Sequence, residues 1–300
     1  VHVLVAGCGW LGLELARRLV ARGEDVTGVR RDAARAAALA AEGIAPLALD
    51  LAAPDALREV PHVDAVIACQ AAGGEDVAAY RAAYVVALRA LLAVAARDGA
   101  KLVYTGSTGV LGQIGGEEVD ERTPPTPASP TGEVLAEAEA LIAAAAGGGA
   151  DACLVRLSGL YGPGRTGVVE RVRTGRLALG PGDDAWMNFC HRDDAASAVL
   201  AALARGAPGA VYHGSDASPA RRREVVAWIA ARLSIAPPRA GGPAGQPGGP
   251  GRALAPSAGR TPPPPPNRRI SSAWTRATLG VTLAHPSFRE GLGGVGSVPP

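Results

Sequence analysis

The chain has almost no lysine. Of its 30 basic residues only Lys101 is lysine and the rest are arginine. Any site that needs an ammonium group has one residue to draw on. Aromatic residues make up only 4% of the 300 residues, and alanine fills much of the apolar quota. Charge of one sign is also missing, with a formal net charge of +2. Electrostatic capture of nucleic acid or of an anionic membrane is therefore not expected. Four cysteines, Cys8, Cys69, Cys153 and Cys190, lie far apart. They form no C-x-x-C pair and no Cys/His spacing, so no metal site is read. They fit reduced, buried thiols in a cytoplasmic protein. The apolar stretch Tyr84–Ala96 is too short and too charged to span a bilayer. The chain opens directly on a strand pattern, which leaves no room for a signal peptide and adds to the cytoplasmic expectation.

What is present is a large apolar fraction, 48%, enough for one large domain or one and a half. The most informative stretch is the first dozen residues. Val3-Leu4-Val5-Ala6 reads as a buried parallel strand. It breaks into Gly7-Cys8-Gly9-Trp10-Leu11-Gly12, and Leu13–Val20 continues with helical periodicity. In strand, G-x-G-x-x-G, helix, Gly7 permits the tight turn and Gly9 lets the backbone approach a pyrophosphate. Gly12 lets the helix pack against the strand. The pyrophosphate would rest on the N–H groups of Trp10, Leu11 and the rest of the helix N-terminus. The alternative is a purely structural glycine turn.

Strands and helices then alternate: strands at Asp25–Val29, Ile44–Leu49, Val63–Cys69, Lys101–Thr105 and Ala152–Leu157, with helices at Ala33–Glu42, Val77–Arg97 and Gly132–Ala146. That pattern predicts an α/β fold with a doubly wound parallel sheet. The second strand ends in Arg30-Arg31, with Asp32 displaced by two. An acidic tip would bind a free ribose 2′-hydroxyl, whereas arginine accommodates a 2′-phosphate. The expectation is NADP in preference to NAD, unless Arg30 and Arg31 are only solvated. Asp50, with Leu51 after it, stands at the third strand's end, either to accept from an adenine amino group or to cap the next turn. Gln70, Ala71 and the small residues after them leave room for the cofactor to cross the sheet edge. The polar stretch Glu117–Pro130 reads as a loop.

From about Arg165 the pattern loosens into short helices at Val168–Thr174, Asp193–Arg205 and Ala220–Leu233, with small strands near Met187–Cys190 and Ala210–His213. Residues 1–165 are read as the dinucleotide domain. Residues 166–236 and 267–292 form a small C-terminal substrate lobe, parts of which cross back to the sheet. Residues 237–266, ending in five prolines, are read as a mobile Pro/Gly-rich loop.

Four segments together resemble the extended short-chain dehydrogenase/reductase family, of the NAD-dependent epimerase/dehydratase type. They are Gly7–Gly12, the serine turn Ser107-Thr108-Gly109-Val110-Leu111-Gly112, the run Arg156–Pro163 ending Tyr-Gly-Pro, and Asn188-Phe189-Cys190-His191-Arg192-Asp193-Asp194. The closing Pro286–Leu292 is similar to the tail of an atypical subgroup. The resemblance implies a Rossmann domain and oxidoreductase or epimerase chemistry on a small polar, sugar-like hydroxyl or carbonyl compound. It also implies a homodimer, with Val77–Arg97 and Gly132–Ala146 as the pairing helices.

The resemblance further implies a Tyr-x-x-x-Lys pair, whose lysine lowers the tyrosine pKa so that the phenol serves as acid or base. This chain lacks it. Aligned on the following Ala-Glu, Thr131 stands where the tyrosine belongs and Leu135 where the lysine belongs. Nor is any tyrosine followed four residues later by lysine. Ser107 remains, either to orient the reacting oxygen or to satisfy its own turn. Tyr161 and His191 are the candidate replacement acids. Each has a structural alternative, Tyr161 as packing and His191 as a partner at a helix start. A non-catalytic dinucleotide-binding sensor is the rival reading, and a scaffold whose proline run binds another protein is a third.

Overall fold

The computed structural model describes residues 1–53, 58–74, 76–180, 185–239 and 266–294. The predicted loop at 237–266 lies almost entirely outside the described residues. Thirteen strands are described: β1 (His2–Ala6), β2 (Asp25–Arg30), β3 (Ala45–Ala48), β4 (Ala65–Ala68), β5 (Lys101–Ser107), β6 (Glu117–Val119), β7 (Ala152–Leu157), β8 (Gly159–Tyr161), β9 (Trp186–Met187), β10 (Phe189–His191), β11 (Val211–Gly214), β12 (Ala220–Arg221) and β13 (Arg268–Ile270). The helices are α1 (Trp10–Val20), α2 (Ala33–Ala37), α3 (Val77–Arg81), α4 (Ala87–Asp98), α5 (Pro130–Gly147), α6 (Gly167–Arg173), α7 (Arg192–Arg205), α8 (Arg222–Arg232), α9 (Ala273–Leu279) and α10 (Phe288–Gly291).

Seven strands form one parallel sheet in the order β11-β7-β5-β4-β1-β2-β3. The expected α/β doubly wound fold is what the chain adopts. Side chains alternate across each strand, so the sheet has two apolar faces. Val3, Val5, Val103 and Val155 pack against Leu11, Leu15 and Leu19 of α1 and Ala195 and Val199 of α7. Leu4, Val66, Leu102 and Leu154 pack against Leu88 and Leu91 of α4 and Ala138 and Ile142 of α5. The strand order runs in opposite directions on either side of β1. The crevice at the carboxyl ends of β1 and β4 is therefore the switch point where such sheets take ligands.

Within the stretch 166–236, α7 packs on the sheet and β11 is its seventh strand, paired with β7. Two details differ from the sequence pattern. The polar stretch after residue 116 contains β6, which pairs with β13 from the far end of the chain. Helices α3 and α4 form a single rod over Val77–Asp98, broken by a π turn at Ala82–Val86. By length and composition this rod is the one described helix that could cross a bilayer. Here its Leu88, Leu91 and Val94 are buried against the sheet. A separate lobe core gathers Tyr161, Val172, Phe189, Val225, Ile229 and Phe288.

Candidate active site

The Gly7–Gly12 turn behaves as three different glycines. Gly7 has φ +82°, and a Cβ there would stand 2.5 Å from the Gln70 nitrogen. A Cβ at Gly12 would collide with the Gly7 carbonyl oxygen and stand 2.9 Å from Cys69 Sγ. These two are required by the protein itself. A Cβ at Gly9 would meet nothing nearer than the Gly7 oxygen at 3.8 Å, so its open face is available to a ligand. Helix α1 starts at Gly9 with no side-chain cap and no acidic residue in its first turn. Its first N–H groups therefore point into the crevice with the positive end of the helix dipole behind them. Trp10 donates from Nε1 to the Pro163 oxygen at 2.8 Å, and Leu11 is buried.

At the β2 tip, Asp32 caps α2, accepting from the Arg35 N–H at 2.8 Å. The nearest carboxylate is thus turned into a helix cap, and Arg30 and Arg31 hold the tip. The Arg30 Nε is buried without a partner among the described residues. The Arg31 guanidinium leans over the loop after β4, where a Cβ on Gly73 would stand 2.9 Å from it. Asp50 accepts from the Ala52 N–H at 3.0 Å, closing its own turn, and Leu51 is buried. Gln70 donates to the Ala83 carbonyl at 3.1 Å while its Oε1 is unpaired; the neighbouring Ala71 is exposed. An uncapped helix start, an open glycine face and orphaned polar atoms at Arg30 and Gln70 fit a dinucleotide lying across β1, β2 and β4.

At the end of β5, the Ser107 hydroxyl accepts from the Gly109 N–H at 3.0 Å and caps the short turn Thr108–Val110. Its own hydrogen stays free to donate. Leu135 is buried with Val110, Leu111, Val119 and Ile270. The place expected for an ammonium is therefore an apolar cluster. Thr131 lies one turn earlier, 3.3 Å from the Ser129 hydroxyl that caps α5. Lys101 cannot substitute, because it opens β5 at the opposite end of the strand from Ser107. There it bonds the Gly206 carbonyl and pairs with Asp151 at 3.3 Å.

Residues 3–213 match the profile of the family described as the NAD dependent epimerase/dehydratase family. The chain belongs to that family. It is similar to protein YeeZ of Escherichia coli K12, at 29% identity over 246 residues, covering 79% of this chain and 85% of that one. It is also similar to the 3-diazoavenalumate denitrifying reductase of a Streptomyces species, at 32% identity, covering 98% and 99%. Among solved structures, a Methylobacillus flagellatus protein assigned as an NAD-dependent epimerase/dehydratase superposes with a TM-score of 0.73 at 31% identity, covering 98% and 97%. The chain is an NAD(P)-dependent enzyme of oxidoreductase or epimerase type.

Within this epimerase/dehydratase frame, the two candidate acids lie away from the serine turn. Tyr161 is 2% exposed, its hydroxyl donates to the Ser287 carbonyl at 3.3 Å, and its ring meets Phe189 edge-on. Burial pushes its phenol pKa far up. The geometry makes Tyr161 a lobe-core residue. His191 is buried and caps α7, its Nδ1 accepting from the Asp193 N–H at 3.3 Å. Burial first, then the neighbouring His285, lowers its pKa. The His285 ring stacks on it with centroids 3.6 Å apart.

His191, Asp194 and His285 bring their polar atoms within 4.8 Å of one another, a cluster the sequence did not disclose. Asp194 is already engaged by the Ala284 and His285 N–H groups at 2.7 and 3.0 Å. The cluster thus fastens the C-terminal segment onto α7. Sequence reasoning also missed Arg268. It is 8% exposed, donates to the Thr108 carbonyl beneath the serine turn, and has its pKa pulled down to about 10 by burial.

Proposed function

We propose that the chain is an NADPH-preferring reductase of small polar carbonyl compounds, sugar-like ones included. The observation that supports the NADPH preference is the β2 tip, where Arg30 and Arg31 stand and Asp32 accepts from the Arg35 N–H to cap its helix. A ribose 2′-phosphate suits two guanidinium groups, whereas a free 2′-hydroxyl would compete with that cap for Asp32. When bound, the reduced nicotinamide supplies hydride to the carbonyl carbon. The chain's own part is to hold the pyrophosphate on the α1 N–H groups and to orient the carbonyl oxygen with Ser107. The reductase name of the Streptomyces relative supports reduction over epimerisation.

The test is a fluorescence titration with NADPH and NADH, read through Trp10 at the crevice. NADPH should bind about 10- to 100-fold tighter, as expected for one charge-assisted bond of about 1.5–3 kcal/mol. Arg30→Asp should remove that preference. Equal affinities would overturn the NADP preference. No binding of either nucleotide at millimolar concentration would overturn the reductase reading as a whole.

A further inference from the structure

We propose that the Tyr84 phenol is the acid/base group of this site, standing in for the phenol that α5 lacks. The proposal rests on the reductase reading above.

The backbone marks the position. Tyr84 lies at the centre of the π turn Ala82–Val86, which interrupts an otherwise continuous rod. Such turns cost regular hydrogen bonding and occur mostly at functional positions. This one is tied to the crevice by Gln70, which donates to the Ala83 carbonyl at 3.1 Å.

Packing puts the ring beside the lost catalytic pair. Tyr84 packs against the cluster of Val110, Leu111, Val119, Leu135 and Ile270, to which the residue that replaces the lysine belongs, and also against the core under α4. A Cβ on Gly109 would stand 3.2 Å from Ser107 Oγ and 3.7 Å from Leu135 Cδ1. Ser107 and Leu135 therefore flank the same glycine. The Tyr80 ring is 5.2 Å from the Tyr84 ring at 55°, which holds its orientation.

Burial raises the Tyr84 pKa above the ordinary phenol value, which keeps the phenol protonated and able to donate; Tyr80 adds to that rise, while the Ala72 N–H, in the loop after β4, and then Arg165 act the other way and favour the phenolate. Arg165 is anchored at the crevice. Gly162 and Arg165 bond each other's backbones at 3.2 and 2.9 Å, and Trp10 grips the Pro163 carbonyl. The guanidinium then rests 5.2 Å over the Trp10 ring at the start of α1. Elements from the ends of β1, β4 and β5 thus meet around Tyr84. Tyr161, by contrast, is sealed in the lobe core.

With a reduced dinucleotide bound to supply hydride to the carbonyl carbon, the C=O π pair would move to oxygen. The Tyr84 O–H bond breaks and its proton goes to that oxygen, giving an alcohol and the oxidised dinucleotide. The phenolate, held by the Ala72 N–H and Arg165, regains a proton from solvent.

The test uses Tyr84→Phe, which keeps the ring and its packing, and Arg165→Met, with NADPH and isatin as the carbonyl probe. Three quantities are read: NADPH affinity by fluorescence, kcat across pH 7–12, and tyrosinate absorbance on alkaline titration. Tyr84→Phe is expected to lower kcat about 100-fold, a typical general-acid contribution. NADPH affinity should be unchanged, and the alkaline limb of the kcat profile lost. Arg165→Met should move that limb, and the tyrosinate step that Tyr84→Phe deletes, to higher pH. Wild-type turnover that survives in Tyr84→Phe overturns the proposal alone. Loss of NADPH binding in that variant assigns Tyr84 a structural role and overturns it too. Wild-type protein that binds NADPH but never reduces isatin or related ketones overturns the reductase reading and the proposal with it.

Discussion

Gly9→Ala separates what the glycine turn does for the fold from what it does for the ligand. Gly9 has φ −88° and ψ −143°, a negative φ open to alanine with a ψ just outside the main extended region, and its Cβ would meet only the Gly7 oxygen at 3.8 Å. Restricting the unfolded chain favours the variant by about 0.4–1 kcal/mol, which offsets a backbone cost of about 1 kcal/mol. Its melting temperature should therefore stay close to the wild type. The methyl group stands on the open face where a pyrophosphate must approach the α1 N–H groups. Losing one or two charge-assisted bonds, at about 1.5–3 kcal/mol each, weakens NADPH binding by 10- to 1000-fold or more. Gly7→Ala is the contrast. Its left-handed φ costs about 1–2 kcal/mol, and the clash at 2.5 Å with Gln70 adds about 1–3 kcal/mol. That variant should lose stability as well as binding. Thermal melts with and without NADPH, followed by a titration, read both effects. A Gly9→Ala protein that binds NADPH within threefold of the wild type refutes the reasoning, as does one that melts as low as Gly7→Ala.

Asp216 gives a pH-dependent prediction. It is buried, its Oδ2 has no partner among the described residues, and burial raises its pKa from 3.8 to about 8. Between those values the native chain keeps a proton that the unfolded chain has released, so stability falls as pH rises from about 4 to about 8. Asp216→Asn cannot titrate, so its stability relative to the wild type, read by denaturant unfolding, should rise over that window by roughly 5 kcal/mol; a constant gap would refute this. Glu139→Ala leaves the 2%-exposed Arg156 without its two-pronged carboxylate at 2.9 Å. It should cost about 3–5 kcal/mol by denaturant unfolding, and a loss under 1 kcal/mol would show the pair is not a buried unit. Tyr161→Phe removes a hydroxyl bonded to the Ser287 carbonyl. It should cost about 1 kcal/mol of stability and leave kcat unchanged; a large fall in kcat would return Tyr161 to the catalytic site.

The parallel strands were legible because both faces are covered, which turns Val3–Ala6 and Ala65–Ala68 into unbroken apolar runs. Strand β6, with Glu117 and Glu118, and β13, with Arg268 and Arg269, carry no such signal. They exist because the two ends of one small lobe meet, a long-range fact that a local pattern does not hold. The fate of Asp32 was half visible, since an aspartate before the alanine run Ala33–Ala37 is a helix-cap pattern as well as a ribose ligand. The absence of Tyr-x-x-x-Lys could be read directly, but not what fills the space. A π turn has no sequence signature, so Tyr84 looked like one more residue on an amphipathic helix. His285 and Asp194 stand 91 positions apart and join only when the C-terminal segment folds back.

The claim that matters most is that this chain moves hydride as well as holding a dinucleotide. The direct measurement is to mix it with NADPH deuterated at the reactive nicotinamide carbon and with isatin, then analyse the alcohol by mass spectrometry. The account predicts one deuterium in the product, on the former carbonyl carbon, in wild-type protein, and about a hundredth as much of the same labelled alcohol from Tyr84→Phe in equal time. NADPH that binds while its deuterium never leaves, across isatin and a panel of small polar ketones and aldehydes, would contradict it.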